Sequence, residues 1–450
     1  MKSFPLTFIL LVFLSAVPLG LRATEPAPTP DQVEVTPDLI DRLVAEAQGQ
    51  NPALEAAGAR VQAANSAVAA VRSWEDPTAS FGVWAPGSGG FQTSQQGNLV
   101  YGVDEKLPLH GLPDLKRKVA AADASREQLA AGYETQKLRH DLLVALDDLA
   151  FAGRDAELAE QDLAWLDATV AAVDHRYRVG QATQVDWLKS ETARAMAGDD
   201  LTTKKRESEH SAFALNRILN RDLHTPWPRV ATPSLGPPVY YTPQLVAAAL
   251  AAEPQLQIMR QESLSAQAAA DLTHRGRLPD VSVGVQAWQY SGDGGFRQGT
   301  ATVSFSVPWL NRNSYDSEWR RDQERKRASD FAAEDQALSV REELHHHIID
   351  LDAARRRAVL YRDQLIPLTQ QTLASAQTAW EHNLGAFQDI LDAHRMLVTD
   401  QLALVRALTD QSNLLADISF LTGSRNTGTL VALAGEPTSE HDGHLSDESK

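Results

Sequence analysis

Residues 301–307 read Ala-Thr-Val-Ser-Phe-Ser-Val, and residues 281–287 read Val-Ser-Val-Gly-Val-Gln-Ala. In both segments apolar residues alternate with small or polar ones, which is the period-two pattern of a β-strand with one apolar face. Apolar side chains outside and small polar side chains inside are typical of a lipid-embedded barrel around a wet lumen. A half-buried sheet of a soluble protein gives the same pattern, so the alternation alone leaves both interpretations open.

The first half of the chain carries a weaker version of this alternation. Its apolar positions are Ala79, Phe81, Val83, Leu99, Tyr101 and Val103. The sequence therefore predicts four strands, at about residues 78–85, 98–107, 280–290 and 299–308. If they form a barrel, the candidate lipid-facing residues are Phe81, Val83, Val281, Val283, Val285, Ala301, Val303 and Phe305. The glycine-rich clusters between paired strands lack the Lys-Ser/Thr ending of a phosphate-binding loop, so we interpret them as hairpin loops.

The two halves of the chain repeat each other at a nearly constant offset. Leu43-Val44-Ala45 recurs 202 residues later as Leu245-Val246-Ala247, and further matches keep the same order. Each half predicts a helix, two strands, a long helix, a turn and a second long helix. We interpret residues 38–222 and 243–423 as two copies of one unit, joined by a proline-rich linker at residues 223–242.

Long helices follow the strands in each copy. Leu112 to Arg178 contains almost no helix-breaking residue, and a helix of that length would extend about 100 Å at 1.5 Å per residue. Such a rod is too long for the core of a compact domain and must pack along its length. Apolar residues at coiled-coil spacing run from Ile390 to Leu421, interrupted by Asp400 and Gln411.

Two glycines and a proline interrupt the long helices. Gly180 and Gly385 are predicted to mark the tips of two antiparallel helical hairpins, one in each copy. Pro367 lies inside the second rod and should bend it.

Four strands in one chain pose a problem of closure. An open four-stranded sheet would expose two edges, which neither water nor lipid tolerates well. If the sheet is a membrane barrel, several chains must therefore contribute four strands each.

Composition excludes several classes of function. The 42 Lys and Arg residues against 59 Asp and Glu residues give a formal net charge of −17, which argues against a nucleic-acid partner. There is no cysteine, so the chain has no disulfide, no thiolate metal ligand and no lipid-modified cysteine. The sequence shows no Ser/His/Asp order, no H-E-x-x-H zinc spacing and no phosphate loop, and we expect neither an enzyme nor a cofactor.

The ends of the chain differ from its body. Residues 1–23, with Lys2 before an apolar run, are predicted to be a secretory signal peptide, the alternative being an uncleaved anchor. Residues 24–37 form a proline-rich lead-in, and residues 424–450 a tail that is acidic and disordered towards its end. No other window is apolar enough to predict a transmembrane helix.

Taken in order, these features resemble the TolC-like outer-membrane efflux family, and nearest in appearance its heavy-metal members. The resemblance rests on the duplication, on Leu107-Pro108 after a strand, on Ile366-Pro367-Leu368 in the long helix, on the two tip glycines, and on Asp389-Ile-Leu-Asp392-Ala393. It implies an α+β membrane protein in which three chains form a twelve-stranded outer-membrane barrel continued by a long α-helical coiled-coil barrel. It also implies a passive duct of a Gram-negative outer membrane, surrounded by lipid, that receives substrates from an RND-type inner-membrane pump through a periplasmic adaptor.

The same resemblance implies roles for the hairpin tips. Asp389 and Asp392 correspond to the family's acidic constriction ring, a periplasmic gate whose field attracts cations. The alternative is that they are solvated acids favoured by the helix dipole. The predicted adaptor-docking residues are Arg178, Val179, Gly180, Gln181, Leu384, Gly385 and Ala386. If Leu188 is paired with Leu391, the equivalents of the two acids in the first copy are Asp186 and Lys189. If Gly180 is paired with Gly385, they are Gln184 and Trp187.

A run of three histidines suggests metal at first sight. His345, His346 and His347 are candidate ligands, but consecutive residues on a helix diverge by about 100° each, so one chain cannot wrap an ion with them. We therefore predict no metal site. The competing functions are a periplasmic coiled-coil adaptor or scaffold, which should carry one hairpin, and a secreted metal-binding protein.

Overall fold

The computed structural model describes residues 32–84, 98–290 and 294–435. The predicted signal peptide, the start of the proline-rich lead-in, the acidic end of the tail and the glycine cluster at residues 87–91 lie outside the described residues. Predictions about them stay predictions.

The first half of the chain begins with two short helices and ends with two very long ones. In chain order its elements are β1 (Gln32–Val33), α1 (Pro37–Gln48), α2 (Pro52–Ala70), β2 (Thr78–Trp84), β3 (Asn98–Lys106), α3 (Leu112–Arg178) and α4 (Gln184–Ile218). Both α1 and α2 start with proline, and an N-cap side chain, from Thr36 or Asn51, accepts a backbone N–H of the first turn. Helix α3 has 67 residues, so it extends about 100 Å.

The second half has the same order of elements. They are β4 (Arg229–Val230), α5 (Pro243–Ala252), α6 (Pro254–Arg275), β5 (Val281–Tyr290), β6 (Phe296–Phe305), α7 (Arg312–Leu360), α8 (Ile366–Glu381), α9 (Phe387–Thr422) and α10 (Thr427–Ala434). Between α7 and α8, Tyr361–Leu365 form a π-helical turn. Pro367, two residues after this turn, has no N–H to donate to the Asp363 carbonyl, so the helix is distorted next to that proline.

The sheet has four antiparallel strands in the order β2-β3-β5-β6. Its register places Phe81 opposite Tyr101, Val285 opposite Ala301, and Val303 opposite Val283. Because directly opposed residues share a face, the candidate lipid-facing residues all lie on one face of the sheet. On the other face, a Cβ at Gly284 would come within 2.1 Å of the Asp104 carboxylate, so this crowded position requires glycine.

The structure corrects one predicted boundary and adds two elements that the sequence did not predict. Strand β6 is Phe296–Phe305 rather than about 299–308, because a 3₁₀ turn starts at Pro308, whose ring removes a ladder donor. The tail begins with helix α10, which buries Leu430 completely. The linker is also ordered by a short parallel pairing of β4 with β1. Neither α10 nor this pairing was predicted, since both depend on contacts with distant residues.

The polar interruptions of the last coiled-coil seam have specific partners. The Gln411 side chain accepts from the Gly236 N–H at 3.2 Å and donates to the Gly236 carbonyl at 3.1 Å, which holds the linker on α9. Asp400 accepts a 2.6 Å hydrogen bond from the Thr369 hydroxyl on α8. Within the described ranges, no helix combines the length and apolar character needed to cross a membrane.

Candidate functional site

The two hairpin tips are built by the same backbone turn. In the first, Gly180 N–H bonds to Tyr177 carbonyl at 3.0 Å, and in the second Asn383 N–H bonds to Trp380 carbonyl at 3.1 Å. Both residues adopt the left-handed conformation, with φ of 76° and 56°. The structural equivalent of Gly180 is therefore Asn383, and pairing it with Gly385 is wrong. Asparagine tolerates this conformation better than most non-glycine residues.

This register fixes the partners of the two tip acids. Asp389 is equivalent to Asp186, because each is the third residue of the helix after its turn. The Asp186 carboxylate accepts from the Thr183 hydroxyl at 2.8 Å, and the Asp389 carboxylate accepts from the Ala386 N–H at 3.3 Å. Both acids thus cap a helix N-terminus, which is one role the sequence allowed for Asp389.

Asp392 has a different environment, and Lys189 occupies the same position of the helix that follows the first tip. Its carboxylate is exposed and accepts a 2.9 Å hydrogen bond from the Gln388 amide. The Gln388 carbonyl oxygen in turn accepts from Lys189 Nζ at 2.9 Å. A Lys–Gln–Asp bridge therefore connects α4 to α9 and places opposite charges at equivalent positions of the two hairpins.

Arg176 makes a second connection between the hairpins. Its guanidinium donates to the Trp380 carbonyl at 3.2 Å and to Asn383 Oδ1 at 2.6 Å. It also lies over the Trp380 ring at 4.1 Å from the centroid, a cation–π distance. One side chain of α3 thus holds the last turn of α8 and the residue that starts the second tip. We call this set of contacts the Arg176 clamp.

The predicted docking residues all lie in or next to the two turns. Leu384 is 85% exposed, which is unusual for a leucine, and Val179 is also exposed. Arg178 pairs with Asp174 of its own helix, at 2.8 Å. Gly385 allows close packing, since a Cβ there would come within 3.0 Å of the Ala379 methyl group.

The three histidines of α7 point to different neighbours. His345 packs edge-on against the Tyr241 ring, with centroids 5.2 Å apart. His346 lies 3.3 Å from Asp350, and His347 lies 3.6 Å from Glu343. Among the described residues no group of three His, Asp or Glu side chains is arranged to hold a metal ion.

A cavity of about 910 Å³ lies between α1, α3, α9 and the linker, away from the tips. Hydrogen bonds from its lining residue His140 to Asp141 at 3.2 Å and to Asp417 at 2.7 Å raise the pKa of His140 to about 9. Burial raises the pKa of Asp147 to about 6. At neutral pH a charged histidine therefore ties α3 to α9.

Sequence reasoning missed the residues that join the hairpins. Arg176 and Trp380 are 204 positions apart, and no motif connects them. Gln388 belongs to no recognisable motif, so the sequence did not indicate that it bridges Lys189 and Asp392. The one available hint was position, because Arg176 and Trp380 each lie in the last turn before a tip.

The fold combines a four-stranded sheet that exposes an apolar face with two long helical hairpins. The second half of the chain, residues 245–424, matches the family model described as outer membrane efflux protein. The resemblance to the TolC-like outer-membrane efflux family is thereby confirmed.

Solved structures show the same fold. The chain is similar to the outer membrane protein VceC from Vibrio cholerae, with a TM-score of 0.71 and 16% identity over 86% of this chain and 96% of that one. It is similar to the Campylobacter jejuni CmeC channel, with a TM-score of 0.72 and 11% identity over 91% and 93%. The Neisseria gonorrhoeae MtrE channel gives a TM-score of 0.68 and 16% identity over 86% and 90%. No curated protein sequence matches the chain.

Proposed function

We propose that three copies of this chain form an outer-membrane duct that passively conducts substrates delivered by an inner-membrane pump through a periplasmic adaptor. The family match and the channel fold support an efflux channel component. The trimer, the pump and the adaptor are the parts that this proposal adds. In this proposal the chain catalyses no reaction, because its role is to form the wall of a passive channel.

The observation that carries the proposal is the sheet. Its outer strands β2 and β6 pair on one side only within the described residues, and its apolar face is exposed, with Val303 at 70%. An edge that is neither paired nor covered would aggregate in water and would be intolerable in lipid. Joining β6 of one copy to β2 of the next would remove every edge and give a twelve-stranded barrel.

Strand length agrees with this assignment. Strands β5 and β6 have 10 residues each. Ten residues at about 3.3 Å rise extend about 30 Å, and a strand tilt of about 40° reduces the height to about 23 Å. The apolar band of an outer-membrane barrel is about 25 Å tall. The 67-residue helix α3 would then extend about 100 Å into the periplasm.

The hairpin tips would close the far end of the duct. Three copies of exposed Asp392 would place carboxylates around a narrow mouth, where their field attracts cations and resists anions. Asp389 would contribute to that field while capping α9. Exposed apolar residues of the turns, Leu384 and Val179, would serve as the docking surface for an adaptor.

Fractionation combined with cross-linking tests the proposal. The full-length protein should remain with the outer membrane, need detergent for extraction, and give a trimer on cross-linking in detergent. A protein released with the periplasmic fraction, or one that stays monomeric in detergent, would disprove the duct. A single barrel-forming trimer should also give discrete conductance steps in planar bilayers.

A further inference from the structure

Two short 3₁₀ turns connect the sheet to the long helices, and both expose large apolar side chains. They span Leu109–Gly111 after β3 and Pro308–Asn311 after β6. Trp309 is 59% exposed and Leu310 is 77% exposed, while Leu109 is exposed to a smaller extent. Since exposing a tryptophan next to a leucine is unfavourable in water, these turns need a partner.

The turns directly follow strands that carry the apolar face of the sheet. Phe305, the last residue of β6, lies on that face and is itself exposed, and Trp309 follows four positions later. On β3 the apolar positions Leu99, Tyr101 and Val103 give way to Glu105, which the register places opposite Val283 on the same face. On β5 and β6 the apolar face continues one row beyond Glu105, to Val281 and Phe305, so the apolar band ends at the last row of the sheet, where the helices begin.

The residue after the second turn adds a positive charge. Arg312 is the first residue of α7, and its largely exposed side chain lies 3.5 Å from Asp316. A guanidinium is suited to bind a phosphate with two hydrogen bonds. Tryptophan combines a large apolar ring with one N–H donor, and it concentrates where hydrocarbon meets water.

We propose that the turn Pro308–Asn311, together with Leu109 and Arg312, is an anchor seated in the phospholipid headgroup layer of the leaflet on the helical side. Trp309 and Leu310 would insert at the boundary of the hydrocarbon, and Arg312 would bind headgroup phosphate. The anchor would fix the height of the channel in the bilayer. This inference rests on the proposed outer-membrane location, from which it follows as a statement about particular residues.

The absence of cysteine gives a clean test. Single substitutions Trp309→Cys and Leu310→Cys, with Val303→Cys on the apolar face and Leu384→Cys at a hairpin tip, would each carry one nitroxide label. The full-length protein would be reconstituted in vesicles of phosphatidylethanolamine and phosphatidylglycerol. Collision rates with oxygen, which concentrates in the bilayer, and with a water-soluble nickel chelate then give the depth of each label.

The hydrocarbon core is about 30 Å thick, so an anchor residue should report a depth about 15 Å from the bilayer centre. Labels at Trp309 and Leu310 should collide with both reagents. The Val303 label should meet oxygen only, and the Leu384 label the nickel chelate only. Because two anchor positions are labelled separately, the test can still be read if one of the two variants fails to fold.

The label depths distinguish a failure of the proposed anchor from a failure of the proposed duct. If the Val303 label lies in hydrocarbon while both anchor labels behave like the Leu384 label, the anchor is wrong and the duct stands. If the anchor labels meet neither reagent, a neighbouring protein surface covers them, and the anchor is again wrong. A Val303 label that meets only the nickel chelate would overturn the proposed function itself.

Discussion

Replacing Arg176 with alanine should separate the two hairpin tips of a chain about 100-fold more often. The Arg176 clamp consists of two hydrogen bonds from a charged donor and one cation–π contact. Hydrogen bonds to charged groups contribute about 1.5–3 kcal/mol each, and an exposed cation–π pair about 0.5–1 kcal/mol. Because the guanidinium is only partly buried, we take about 3 kcal/mol for the set, and 1.4 kcal/mol corresponds to a factor of ten.

The assay for the clamp is conductance in planar bilayers together with amide hydrogen exchange at the tips. If the clamp holds the mouth narrow, Arg176→Ala should show more frequent large openings and faster exchange around Asn383. Arg176→Lys should be intermediate, since lysine keeps the charge but not the forked geometry.

Arg178→Ala is the matched control for the clamp. Arg178 lies two residues away, carries the same charge and is 75% exposed, and it pairs with Asp174 on its own helix. Exposed pairs of this kind contribute little. If Arg176→Ala and Arg178→Ala give the same conductance and the same exchange rates, the reasoning about the clamp is wrong.

Three other changes test separate parts of the structure. The stability that the protein gains from the raised pKa of His140 is complete below about pH 6.5 and is lost as the pH rises through about 9. His140→Gln should therefore abolish roughly 3 kcal/mol of pH-dependent stability, measured as the thermal midpoint from pH 6 to 9.5. An unchanged pH profile of the thermal midpoint would contradict this role of His140. Val303→Arg should impair trimer assembly in membranes, because it places a charge on the apolar face of β6, whereas Ser304→Arg on the opposite face should be milder. Equal effects of the two substitutions would reverse the faces of the sheet. Asp392→Asn should weaken the cation preference of the channel in planar bilayers without loss of stability. Asp389→Ala should lower the stability by about 1 kcal/mol, because it removes a carboxylate that caps helix α9. A loss of stability in Asp392→Asn would argue against a gate.

The strands and rods could be predicted because their physics is local. Alternation in residues 301–307 specifies both the strand and its apolar face, since successive side chains point to opposite sides. Helix α3 begins and ends where the sequence places it, because Pro113 and Gly180 bound a segment with few helix breakers. Strand ends were less certain, as the earlier end of β6 shows.

The tips could be located from the sequence but not aligned. Matching Gly180 to Gly385 by residue identity misses that the turn requires one left-handed residue, which Asn383 supplies in the second copy. The clamp and the Lys189–Gln388–Asp392 bridge join residues about 200 positions apart, and only the packed structure shows them as neighbours.

The π-helical turn at Tyr361–Leu365 adds one residue to the helical repeat between α7 and α8. The buried positions Leu344, Leu351 and Ala358 recur every seven residues, but the next buried hydrophobic residue, Leu373, comes fifteen residues after Ala358. A π-helical turn accommodates one extra residue, so two stripes that would otherwise be rotated by about 100° stay in phase. A one-residue deletion within this turn should therefore leave both stripes aligned, whereas the same deletion at Ser339 would turn one of them away from its partners.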